Sequence, residues 1–159
     1  MSTLDKLLVL AHLLAAFWYV AGLVSVQISL IRASQPKDTA TRAESFNEAE
    51  HYHGVLLVPG AIAGIASGLA LWSQLDYNIF RTGWLIALEA IYVVTLLVCL
   101  PLIGTGMRRA RLAALQAHKR GKATPELEAA MADQVPLLFG GLATLLLPAM
   151  AALSVFRPF

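Results

Sequence analysis

The chain has 159 residues, 58% of them hydrophobic and only 14% charged, and its mean hydropathy is +0.67. Soluble domains carry roughly a quarter charged residues, so this composition excludes an ordinary water-soluble domain and makes lipid the solvent of most of the chain. The net charge is +2, the basic residues sit in two loops without interleaved aromatics, and the single cysteine is Cys99. Nucleic-acid binding, an internal disulfide and any CxxC metal or redox motif are thereby excluded.

Crossing ~30 Å of hydrocarbon takes about 20 helical residues. Four apolar runs, free of charged residues but for Glu89, are long enough, at 7–31, 54–73, 83–107 and 135–156. They predict an all-α, polytopic membrane protein, a single four-helix transmembrane domain over 1–159. The first run is longer than a signal-peptide core, Asp5 and Lys6 cancel before it, and no A-x-A site follows, so it reads as a retained span.

Nine of the twelve Lys and Arg residues fall between spans one and two (Arg32, Lys37, Arg42) or three and four (Arg108, Arg109, Arg111, Lys119, Arg120, Lys122). Only Lys6, Arg81 and Arg157 fall on the other side. Short basic loops stay cytoplasmic, which predicts that the N- and C-termini both face outward. Trp72, Tyr77, Phe80 and Trp84 around the short 74–82 turn would form an aromatic belt.

Both basic loops read as helical, giving the bundle cytoplasmic extensions. Thr41-Arg-Ala-Glu44 has the form of a capping box and places a helix start at Thr41. Gly121, with Thr124 as N-cap and Pro125 at the first helical position, marks a turn between extensions of spans three and four. In span two, Gly60, Gly64 and Gly68 recur every fourth residue, a smooth stripe for packing within the chain or for a homodimer or larger membrane complex; Ala21, Ser25 and Ser29 form a similar stripe on span one. Pro59, Pro101 and Pro148 interrupt three spans and permit kinks.

Two ionisable groups lie inside the spans, His12 and Glu89. Ionisable groups at depth cost roughly 2.5–3.5 kcal/mol on insertion scales and are functional candidates by default. Counted from the ends of their spans, His12, Ser67, Glu89 and Met150 fall in one layer. An imidazole there could be the axial ligand of a haem iron, with Met150 opposite and Glu89 as proton or tautomer partner. Imidazole with thioether would also suit copper. The plain structural reading is that His12 and Glu89 bond each other to fix helix register. Near the basic loops, Glu44, Glu48, Glu50, His51 and His53 cluster with i, i+3 spacing. With no second such helix they read as a solvated face whose carboxylates pair with Arg42 or the basic loop, the histidines reaching for the interface. His118 reads as a solvated residue near headgroups. No phosphate-binding loop, nucleophile elbow or HExxH occurs.

The run Ala11-His12-Leu-Leu-Ala-Ala-Phe17-Trp18 to Gly22, the Pro59-Gly60 pair with Gly68, and the Gly83-Trp84-Leu-Ile-Ala start of span three resemble the superfamily of CopD-type copper-resistance membrane proteins and HemJ-type protoporphyrinogen oxidases. Within it, Trp84 to Tyr92, Leu100-Pro101 and Gly106-Met-Arg-Arg109 are most similar to a bacterial family of predicted integral membrane proteins of unknown function. The resemblance implies a four-helix inner-membrane protein in which His12 matches a haem-ligating histidine. The HemJ-type third-helix lysine is replaced here by Leu88 followed by Glu89, and Asp133-Gln-Val-Pro136 stands for their Asn-Glu-x-Pro. Haem b binding of redox or electron-transfer character is therefore the leading expectation and porphyrinogen oxidation is not. The alternatives are an accessory or assembly subunit of a respiratory or photosynthetic complex, and a copper-handling permease.

Overall fold

A computed structural model describes residues 2–35, 38–74 and 82–158. Lys37, Tyr77, Phe80 and Arg81, which enter the expectations for the loops and the aromatic belt, lie outside the described residues.

The described chain is helical with short connections: α1 (Thr3–Ser34), α2 (Thr39–Tyr52), α3 (Val58–Gln74), α4 (Gly83–Val94), α5 (Leu100–Arg120), α6 (Pro125–Ala132) and α7 (Val135–Phe156). Single π-helical turns, His53–Leu57 and Thr95–Cys99, join α2 to α3 and α4 to α5 without a break. Four helical rods are long and apolar enough to cross a membrane, Thr3–Ser34, Thr39–Gln74, Gly83–Arg120 and Pro125–Phe156. At 1.5 Å per residue the 38-residue rod is about 57 Å long, so helical extensions project well past the hydrocarbon at the basic end. The outer surface is the inverse of a soluble protein's: Phe17 is 71% exposed, Leu145 73% and Leu97 66%. An apolar surface that continuous is stable only against acyl chains.

Both π turns end two residues before a proline, Pro59 and Pro101. Proline has no N–H to donate and its ring crowds the carbonyl four residues back. The wider turn absorbs the mismatch: Val58 N–H reaches the carbonyl of His53, and Leu100 N–H that of Thr95, five residues back. Pro148 sits inside α7 with no such turn.

At the basic end α2 lies between α1 and α5. Its contact surfaces are small side chains, Ala43, Ala49, Ala110, Ala113, Ala114 and Ala117, all buried, which let the three backbones approach closely. Helix α2 begins at Thr39 rather than Thr41, a correction to the capping-box expectation. Asp38 is the N-cap, its Oδ1 accepting from Ala40 N–H at 3.0 Å and Thr41 N–H at 2.9 Å, and its Oδ2 from the Thr41 hydroxyl at 2.8 Å. The stronger acceptor upstream recruits Thr41 as a donor in the first turn. Those bonds, first the backbone and then the hydroxyl of Thr41, hold the Asp38 carboxyl below the usual carboxylate range. A depressed carboxyl stabilises the folded helix above its unfolded value and loses that contribution as pH falls through the folded one. Amide exchange at Ala40 and Thr41 should therefore accelerate on acidification below the normal Asp range, and Asp38→Asn should flatten that dependence.

The α5–α6 turn follows the sequence expectation. Gly121 has φ +66° at the end of α5, where only glycine is unstrained, and Thr124 Oγ1 caps α6 by accepting from Leu127 N–H at 3.3 Å, with Pro125 at the first position.

Candidate functional site

The glycines of α3 decide how α1 and α4 meet it. A Cβ on Gly60 would lie 2.6 Å from Tyr19 N, so α1 rests there backbone to backbone; at Gly22 the reciprocal contact is with Leu57 N, at 2.5 Å. One turn on, Gly64 faces the Tyr92 hydroxyl, which donates to the Ala61 carbonyl at 2.6 Å. One turn further, Gly68 faces the imidazole of His12, with Cε1 at 3.4 Å from a Cβ position. Gly60, Gly64 and Gly68 are thus covered by the chain's own Tyr19, Tyr92 and His12. The stripe packs within the chain, the first of the two readings the sequence offered for it.

His12 Nδ1 lies 3.0 Å from Ser67 Oγ. The depth count that placed these two residues in one layer is therefore realised as a contact. Ser67 Oγ itself is 2.6 Å from the Ala63 carbonyl and 3.2 Å from that of Gly64. The single hydroxyl proton is committed to these carbonyls, so Oγ accepts from Nδ1–H, and the tautomer assigned from this network leaves Nε2 as the basic nitrogen. The ring is half-buried.

Glu89 lies one turn from Tyr92 on α4, and the Tyr92 hydroxyl, bonded to the Ala61 carbonyl, faces Gly64, one turn from Gly68. Its side chain is exposed, and among the described residues it makes no hydrogen bond or ion pair. The proposed tautomer partnership with His12 is therefore corrected: Ser67 holds that place. The physical reason is the course of α4, which packs on α7 and meets α1 and α3 mainly through Tyr92. Met150 is half-buried on α7, its carbonyl accepting from Ser154 Oγ at 2.8 Å.

Toward the basic end from His12, Tyr19 and Tyr92 pack with ring centroids 6.3 Å apart. The Tyr19 hydroxyl is buried and makes no hydrogen bond among the described residues.

The acidic and histidine cluster at the basic end does not act as one unit. Glu48 turns toward α1 and pairs with Arg32 at 3.6 Å, while Glu50 turns toward α5 and pairs with Arg111 at 2.6 Å. No group of three or more His, Cys, Asp or Glu able to hold a metal occurs among the described residues. His51 is exposed against the edge of Tyr52, and His118 is exposed. His53 departs from the solvated face expected for it. The π turn rolls its ring onto Gly104 of α5, 3.1 Å from a Cβ position, and Nε2 is buried without a hydrogen bond of good geometry among the described residues. A proline six residues downstream and a glycine on the facing span are the sequence signals that could have flagged this residue.

The fold and the lipid-facing surface define a polytopic integral membrane protein built on four spanning helices, with an imidazole held ready inside it. A family model described as "Predicted integral membrane protein (DUF2269)" matches residues 6–158, and the chain belongs to that family. Neither the curated proteins nor the solved structures provide a match.

Proposed function

We propose that the protein is a haem-b-binding membrane protein of redox character, with His12 as the axial ligand through Nε2. The observation that carries this reading is the Ser67 contact. A ligating imidazole is normally oriented by a bond to its other ring nitrogen, which fixes the tautomer and raises basicity. Ser67 supplies that bond at 3.0 Å from α3, which packs against α1 through Gly60. The donor set suits the group: an imidazole whose Nδ1 is engaged by Ser67, leaving Nε2 for the iron, with the Tyr19 hydroxyl buried two turns along α1 without a hydrogen bond among the described residues. The bound iron would supply one-electron chemistry. Glu89, exposed on α4, retains a part only as a proton carrier, and Met150 is the soft donor available on α7. The resemblance of the first-helix His12 to the haem ligand of HemJ-type enzymes supports the same reading, and we propose that the protein belongs to that superfamily and lies in a bacterial inner membrane with both termini outside.

The test is the absorption spectrum of the purified protein. A Soret band present in the wild type and absent in His12→Ala is expected. Ser67→Ala should retain haem but bind it roughly 10–100-fold more weakly, the usual effect of removing an orienting partner. A colourless wild type co-purifying stoichiometrically with a larger complex would instead make the protein an accessory subunit. Copper retained without haem on metal analysis would favour the permease.

A further inference from the structure

The two π turns flank a groove with a volume of about 480 Å³ on the opposite face of α3 from His12. Its walls are apolar, Val58 and Ile62 on one side and Leu96, Leu100 and Pro101 on the other, and its basic-end rim carries Glu50, His53, Thr105 and Arg108. The apolar runs of spans two and three stop at 54 and 107, so the rim lies where both helices leave the hydrocarbon. The groove is therefore graded along the membrane normal as an amphiphile is, chain in the core and head at the interface.

Charge decides what kind of head. The Glu50 carboxylate is neutralised by Arg111 at 2.6 Å, and Arg109 is 3.9 Å from Asp133. Arg108 has neither a hydrogen bond nor an ion pair among the described residues and is exposed at the rim. The rim thus carries one uncompensated cation. Beside it, the buried Nε2 of His53 makes no hydrogen bond of good geometry among the described residues, the ring approaching the Leu100 carbonyl, and so has capacity for a polar contact.

We propose that this groove is a specific site for one anionic phospholipid, its phosphate on Arg108 with His53 as the neighbouring polar contact, and one acyl chain between Ile62 and Leu96. The site is separate from His12 and Ser67 and stands whether or not haem is bound there.

The test uses the full chain in detergent, titrated with phosphatidylglycerol or phosphatidylcholine of identical acyl chains, with retained lipid counted by native mass spectrometry. One phosphatidylglycerol should be retained at least roughly five-fold more tightly than phosphatidylcholine, the contribution of a single interfacial cation. Arg108→Gln should erase that preference while Arg109→Gln keeps it, and Ile62→Trp, which fills the groove from an exposed wall position, should remove retention of both lipids. Equal retention of the two lipids, equal behaviour of the two arginine variants, or displacement by millimolar inorganic phosphate would overturn the proposal. Preferential retention of an isoprenoid quinone would do so as well. If Arg108→Gln does not fold, the Ile62→Trp arm decides.

Discussion

Gly60→Ala and Gly22→Ala are each expected to destabilise the protein by about 1–3 kcal/mol, the range typical of overpacking a filled interface. At both positions the new methyl would meet backbone rather than a movable side-chain end: Tyr19 N and Cα at 2.6 and 2.8 Å from Gly60, Leu57 N and Cα at 2.5 and 2.6 Å from Gly22. Backbone in a helix cannot step aside, so α1 and α3 must separate along their whole shared seam. In lipid that separation is costly because no hydrophobic contrast holds helices together. Dispersion across a close approach does most of the work, and it fades steeply with distance. Gly64→Ala should be milder, since its neighbour at 2.7 Å is the Tyr92 hydroxyl, which can swing off at the expense of one hydrogen bond to Ala61, about 1 kcal/mol. Gly54→Ala has nothing within 4 Å and serves as the neutral control. Thermal unfolding in detergent ranks the four variants, and a Gly60→Ala protein as stable as Gly54→Ala would mean that α1 and α3 are not in backbone contact.

The second large effect belongs to the ion pair that fastens α2 to α5. Arg111 places Nη1 2.6 Å from Glu50 Oε2 and Nε 3.1 Å from Asn47 Oδ1, and its side chain and that of Glu50 are 29% and 32% exposed. Breaking a fully buried pair from one side costs about 3–5 kcal/mol and an exposed pair contributes under 1, so Arg111→Met should fall between, at about 1–3 kcal/mol. Most of that loss comes from the carboxylate left half-buried beside the groove rim. Adding Glu50→Gln to Arg111→Met should therefore recover stability, and the double-mutant cycle should give a coupling well above 0.5 kcal/mol. Strictly additive single effects would show that the pair contributes nothing.

Much of the architecture was legible from composition alone, because twenty apolar residues in a row have few places to go. The span at 135–156 coincides with α7 (Val135–Phe156), and the Gly121, Thr124 and Pro125 signals fell on the turn they mark, since each acts through its own backbone. The layer count brought His12 and Ser67 to the same depth because rise per residue is fixed in a helix. Azimuth is not fixed in that way. Which face of α4 turns inward depends on α4 leaning on α7, and no counting along one strand of sequence reports that. Glu89 was matched to His12 by depth and missed by direction.

His53 shows the same limit at the other end. By position it belonged to a wet cluster with Glu48, Glu50 and His51, and i, i+3 spacing paired it with Glu50 as it paired His51 with Glu48 on a regular helix. The π turn changes the register between His51 and Val58, and Gly104 on another span provides the hollow that receives the ring. Sequence by itself determined the solvent, the number and length of the spans and the local caps, because those follow from hydropathy, helical rise and short-range hydrogen bonding. Tertiary structure decided which polar groups meet: Ser67 rather than Glu89 for His12, Arg111 rather than Arg42 for Glu50, Gly104 rather than water for His53. Those pairings depend on how helices rotate about their axes as small residues come into contact, and that rotation is a property of the assembled bundle.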